Sequence, residues 1–510
     1  MARKKRNEDR PSRDRGQDRR SAGSASRRNR LSTNQTIARA RRKERLEELG
    51  RQRDSYETAG RPDKADRPDF GRRPNVAEMP PSDAGRRTGL VAGVIAVVVV
   101  AAVVVGYVFW NRADGGSPIA GSPSASIPAA GPAAMVSTQT MLTPDEAKTV
   151  VDQSWKVQND QQADAEDAPT PACLSDVSKD APKPAEAMIR TMSAGGDGGP
   201  TALHLAQAYR SPELATQAYA LLAKALGECN LKGSYLSGAR VISGLGDQAT
   251  AVELSDLIKD THHAVVLNRT GRMINVVDIE ENKDSPDVDK TAKALGSVTD
   301  LQCTIAVGLC ASAVKISDGP PPIAGDQPGF LATADIPVPT NGKGVWSGLQ
   351  PGSPEDVTTS GCENVDFNTL IADNRTARSY VLDDNPKGMP KKFGIDQVVL
   401  TLSSAKDAKN IVNTVVSNLK SCDARLPTAE VNDLTKVSGT GADAAKVEGS
   451  VASVNQKVSE SDVSHYRVGI VSAGNKLVYT FMYRQGDWDL TKSQWQTLAV
   501  RAGERATQVQ

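Results

Sequence analysis

Four histidines and six cysteines are the residues of this 510-residue chain best suited to chemistry. His262 and His263 are adjacent, while His204 and His465 stand alone. A metal reading would join His262, His263 and an acid such as Asp247. On a strand, however, adjacent side chains point to opposite faces, so the two histidines do not readily share one ion. Cys303 and Cys310 have no second cysteine pair and no histidine nearby in sequence, which argues against zinc. No GxSxG elbow presents a nucleophilic serine. Ser243-Gly-Leu-Gly246 and Ser438-Gly-Thr-Gly441 read as short turns, because a phosphate loop needs a following Lys-Ser/Thr. Acids are plentiful, but no two stand out as an acid/base couple. The chain therefore reads as a non-enzyme, with no catalytic residue, no bound metal and no cofactor expected.

The elements that would position any site begin with a membrane signal. Gly89 to Trp110 contains 22 residues and no charge. As a helix it reaches about 33 Å, enough to cross a hydrocarbon core. Tyr107, Phe109 and Trp110 suit the outer interface, and Arg86 and Arg87 abut the inner end. Residues 1–87 hold 26 Lys+Arg against 14 Asp+Glu, whereas residues 88–510 hold 36 against 47. The positive-inside rule then places the N-terminus in the cytoplasm and the C-terminal region outside. Eighty-eight residues precede the apolar run, too many for a secretory signal peptide.

The arm 1–87 is basic and poor in apolar runs, so it is expected to be disordered. A weak helix with Ile37, Leu46 and Leu49 on one side is the exception. The arm's charges suit anionic inner-leaflet lipid. Nucleic-acid binding would use the same charges, but no aromatic interleaving or fold motif supports it. Residues 111–137 are rich in Gly, Ser, Pro and Ala and read as a flexible stalk.

The rest of the chain repeats itself. Leu205–Cys229 aligns without gaps to Val398–Cys422. Each begins apolar, reaches Ser211 or Ser404 as a helix N-cap, and continues as an amphipathic helix to a cysteine. Pro212 suits a first helical turn, and Asp407 suits a capping box with Ser404. Ala218, Leu222 and Leu226 match Ile411, Val415 and Leu419 on one face. The runs from His262 and from His465 align as hairpins, with Gly271 and Gly474 at the turns. Closing helices are expected near Val288–Gly296 and Lys492–Ala506. Trp155 and Trp346 precede Cys173 and Cys362 by 18 and 16 residues. The predicted fold is α+β: two similar domains, 138–300 and 327–510, each an antiparallel sheet with packed helices. They follow one transmembrane helix (88–110) and the disordered arm. Residues 301–326 are expected to be a disulfide loop and Pro/Gly linker, with the repeats folding as separate units.

This order of Trp, Cys, strand, Ser-capped helix, Cys, Gly turn, hairpin and helix resembles the PknH-like extracytoplasmic sensor domain of actinobacterial membrane proteins. The resemblance covers both repeats. It implies a central antiparallel sheet, a groove, internal disulfides and ligand binding. The chain departs from the receptor kinases of that family, because residues 1–87 carry no Gly-rich loop, HRD or DFG motif. Two homologous domains should use the same bridge, which favours Cys173–Cys229 and Cys362–Cys422 and leaves Cys303 with Cys310. Reduced thiols would instead require a cytosolic location. The expected function is binding of an envelope ligand or partner protein. An envelope scaffold, or an envelope enzyme, is the alternative.

Overall fold

Stretches such as Ala264–Leu267 and Val468–Val471 are apolar at consecutive rather than alternate positions, the pattern of strands covered on both faces. The computed structural model describes residues 135–509, apart from Asp176, Lys179, Asp197, Asn230 and Lys392. The arm, the apolar run 89–110 and most of the stalk lie outside the described residues. Among the described residues no helix is long and apolar enough to cross a membrane.

The first repeat contains helix α1 (Pro144–Val150), strands β1 (Trp155–Gln162), β2 (Glu186–Ala194) and β3 (Thr201–Ala208), and helix α2 (Pro212–Glu228). Strands β4 (Ser234–Leu245), β5 (Gln248–Asp256), β6 (Thr261–Thr270) and β7 (Met273–Asn282) follow, then helix α3 (Val288–Ala306) and strand β8 (Ala311–Asp318). The second repeat has β9 (Trp346–Gly348), β10 (Asn374–Leu382), β11 (Gly394–Thr401) and helix α4 (Ala405–Lys420). It continues with β12 (Ala429–Thr440), β13 (Lys446–Lys457), β14 (Val463–Ala473), β15 (Lys476–Arg484) and helix α5 (Lys492–Ala506).

The two sheets share one antiparallel topology. The order β1-β2-β3-β7-β6-β5-β4 recurs as β9-β10-β11-β15-β14-β13-β12, and β8 is an extra edge strand beside β4. Each sheet has a helix on either face. Leu222 and Leu226 of α2 pack on Val252, Val265 and Val276, while Leu295 and Val298 of α3 pack on Ala251, Val266 and Val277. The same alternation places α4 and α5 on opposite faces of the second sheet. The α+β architecture with two antiparallel sheets is thus present.

Local signals act as their chemistry demands. The Ser211 and Ser404 hydroxyls accept the Leu214 and Asp407 N–H groups at their helix starts. The Asp407 carboxylate accepts the hydroxyls of Ser403 and Ser404, being shorter than the Glu or Gln of a full capping box. Gly271 and Gly474 take φ +52 and +59 at the first central position of two-residue hairpin turns, where any side chain would be strained. Trp155 and Trp346 open the equivalent edge strands, each buried and each donating its indole N–H to a backbone carbonyl. Three disulfides join Cys173 to Cys229, Cys303 to Cys310, and Cys362 to Cys422.

Three expectations need correction. The Ser-Gly-x-Gly segments are mostly strand: β4 and β12 run through Leu245 and Thr440, and only Gly246 and Gly441 lie beyond them. Helix α3 does not stop near Gly296 but continues to Ala306, because Leu295, Val298, Thr299, Gln302 and Cys303 keep one buried face in step. The segment 301–326 is therefore no simple linker. It holds the last turn of α3 and strand β8, with Cys303–Cys310 tying one to the other. The described residues of both repeats fall within one compact unit.

Candidate functional site

Helix α5 is the closing helix expected near Lys492–Ala506. Trp495, Leu498, Ala499 and Ala502 meet the sheet. Arg501, Glu504 and Arg505 are also buried, because they face the first repeat across a seam. The Arg505 guanidinium grips both oxygens of Asp335 at 2.9 and 3.0 Å, and neither side chain is exposed at all. It also donates to the carbonyls of Gly227, at the end of α2, and of Pro322. Arg501 binds Glu504 at 2.8 Å and reaches Asp335 at 3.4 Å. Burial raises the pKa of Glu504 against the pull of Arg501. A Cβ on Gly227 would stand 2.4 Å from the Pro322 carbonyl oxygen, so glycine lets the linker pass this close.

Two cavities flank this lock, each lined by β4 on one side and α5 on the other. The larger, about 590 Å³, has an apolar wall of Leu257, Ile258, Val338 and Pro339 and a polar wall that includes Asn341, Ser493 and Gln494. Leu257 and Ile258 are 43% and 60% exposed in the β5–β6 turn. The Asn341 amide nitrogen is buried without a hydrogen-bond partner, while its oxygen accepts the Lys343 N–H. The smaller cavity, about 400 Å³, is polar, with Arg240, Lys436, Arg501, Asp318 and Glu504 on its walls. A hydrophobic wall with a few placed polar groups is the usual make-up of a small-molecule site.

The histidines assemble no metal site. His204 is fully buried, accepts the Leu142 N–H at Nδ1 and meets Asn275 at Nε2. Burial pushes its pKa down to about 4 and outweighs the Asn275 bond. His263 contacts Asp278 at 2.9 Å. Burial opposes its charge, but the bond to Asp278 and the charges of Asp278 and Glu280 outweigh burial and raise its pKa. Asp278 also accepts the Ala172 N–H, and so holds the Cys173 loop over the sheet. His262, on the other face, contacts Ser255 at 3.0 Å and Asp260 at 3.6 Å. Ser255 is buried in β5 and donates to Ser237, so these side chains form a hydrogen-bonded row at the sheet's end. His465, its counterpart, contacts Asn455. Asp247 lies elsewhere, accepting the N–H groups of Gly271 and Leu309. Asp300, Cys303 and Cys310 cluster, but both sulfurs are spent in the disulfide.

Sequence reasoning missed the seam. Its residues come from β4, the β5–β6 turn, the linker and α5, and no local pattern joins them. The nearest signal was the linker's prolines, read as a spacer rather than as packing. Comparison with known protein families, curated proteins and solved structures yields no match.

Proposed function

We propose that this chain is a single-pass membrane protein whose tandem PknH-like sensor domains bind an envelope ligand in the seam between them, without catalysis of their own. The larger seam cavity carries the reading. It offers an apolar wall for a hydrophobic body and a polar wall with Asn341, Ser493 and Gln494 for a polar head, which describes a small amphiphile. The membrane topology rests on the uncharged Gly89–Trp110 run and the arginines before it. Cysteines joined in three disulfides suit an oxidising exterior. The basic arm then meets anionic lipid on the inner face.

The test is a photo-crosslinking residue placed at Ile258 in cells, with Ile371, which is 97% exposed, as the control position. A discrete adduct at 258 that is absent at 371 and lost in Asn341→Ala supports the site. Equal labelling at both positions, or none at 258, refutes it.

A further inference from the structure

Fourteen large apolar side chains are exposed among the described residues, and four of them fall within nine positions: Leu301, Ile305, Val307 and Leu309. Leu301 and Ile305 are one helical turn apart on the outer side of α3. Val307 and Leu309 follow in the loop closed by Cys303–Cys310, and are 74% and 64% exposed. Val307 ends the helix at φ +58, ψ +47, a left-handed position that glycine normally fills and that a β-branched residue occupies at a cost. Its side chain buries almost nothing in return, so the fold itself gives no reason for a valine there. The loop is held rigidly. A Cβ on Gly308 would fall 2.0 Å from the Gly271 nitrogen, and the Leu309 carbonyl accepts the Thr270 hydroxyl at 2.7 Å.

The chain enters the domain beside this patch. Val136 and Met141 pack with Met273 and with Ala306, the last residue of α3, and Gln302 donates to the Thr140 carbonyl. Only the 24 residues 111–134 separate this entry point from the end of the apolar run at Trp110. A Gly/Ser-rich sequence of that length has a root-mean-square span of roughly 25–30 Å, which would keep the patch within reach of the bilayer. Arg272, which donates to the Ile305 carbonyl, adds a cation at the rim suited to headgroup phosphate.

We infer that the disulfide-closed loop Cys303–Cys310, with Leu301 and Ile305, is a membrane-contacting surface that inserts apolar side chains into the outer-leaflet interface. This rests on the single-span topology proposed above. It would hold the first repeat down on the lipid.

The full chain is reconstituted in vesicles of equal phosphatidylglycerol and phosphatidylethanolamine, with a photo-crosslinking residue at position 307, 309 or 371. Carbonate extraction of the same samples reports anchoring. Anchored protein with about tenfold more lipid adduct at 307 and 309 than at 371 is expected for side chains seated among acyl chains. Anchored protein without that excess, or with protein–protein adducts at 307 instead, overturns the inference and leaves the span intact. Protein released by carbonate overturns both. Leu309→Asp, at an exposed site that leaves the fold unchanged, should cut the adduct at 307 severalfold. No change in that adduct also counts against the contact.

Discussion

His204 makes the stability of the protein depend on pH in a way the structure quantifies. Buried neutral in the first sheet, its pKa falls from 6.5 to about 4. The unfolded chain therefore binds a proton between those values that the folded chain refuses, and stability must drop as pH falls through that window. The full shift corresponds to about 3 kcal/mol, of which about 2 kcal/mol is gone by pH 5. Carboxylates also titrate at that acidity, so the effect needs a matched variant. The second repeat supplies it: Gln397 occupies the position of His204, and its side-chain oxygen accepts the Leu331 N–H as His204 accepts that of Leu142. His204→Gln keeps an acceptor for Leu142 and a donor for Asn275 but cannot titrate. Urea unfolding of both proteins from pH 8 to pH 4.5 should show the difference in their stabilities shifting by about 2 kcal/mol in favour of the variant by pH 5. His263 has the opposite sign, since its raised pKa contributes stability below 6.5 that is lost as pH rises through the folded value. It is present in both proteins and cancels. Parallel pH profiles for the two proteins would refute a neutral buried His204.

Arg505→Ala leaves Asp335 charged and buried with only the longer 3.4 Å contact to Arg501, and should cost about 3–5 kcal/mol. Calorimetry should then show the single transition separating into two as the repeats uncouple. Gly227→Ala forces a methyl against the Pro322 carbonyl and should destabilise by about 1–3 kcal/mol, read from the urea midpoint. Replacing Cys362 and Cys422 together by Ser opens a 60-residue loop. This should lower stability by up to about 4 kcal/mol in the chain-entropy picture, measured against the parent under non-reducing conditions.

What the sequence makes legible is local. Ser211, Ser404, Gly271 and Gly474 act through caps and turns a few residues long, and the consecutive apolar runs declare strands covered on both sides. The end of α3 is hidden because Gly296 and the β-branched Val298, Thr299 and Thr304 are weak helix formers, and only packing holds them helical. Strand β8 is hidden because Ala311–Asp318 is an exposed edge with no buried alternation. The seam is hidden most deeply. Asp335 and Arg505 are 170 residues apart, and an arginine on the outer side of a helix looks solvated until its partner is placed.

The repeats share a topology but differ in what fills equivalent core positions. Asn268 and Asn275, paired across β6 and β7, become Val471 and Val478. His263 and Asp278 become Tyr466 and Phe481, whose rings lie 5.3 Å apart. At these positions the first repeat keeps polar groups where the second is apolar, whereas Ala264 and Val277 become the buried Arg467 and Thr480, so each repeat carries its own polar core groups, an arrangement that favours one packing over many rather than added stability. The polar groups of the first repeat are connected: Asn275 bonds His204, Asn268 and Gln302, and Asn268 bonds Thr299. They also converge on one stretch of backbone. His204 takes the Leu142 N–H, Gln302 donates to the Thr140 carbonyl, and Arg190 donates to the carbonyls of Thr138 and Leu142 while bridged to Asp160. In the second repeat the matching stretch is fixed in part by Gln397 and Tyr380 on Leu331, and otherwise by its own burial in the seam. Residues 138–142 precede helix α1 and are held to the sheet chiefly by the bonds of His204, Gln302 and Arg190. The polar core of the first repeat thus fixes residues 138–142, the segment by which the described chain enters the domain.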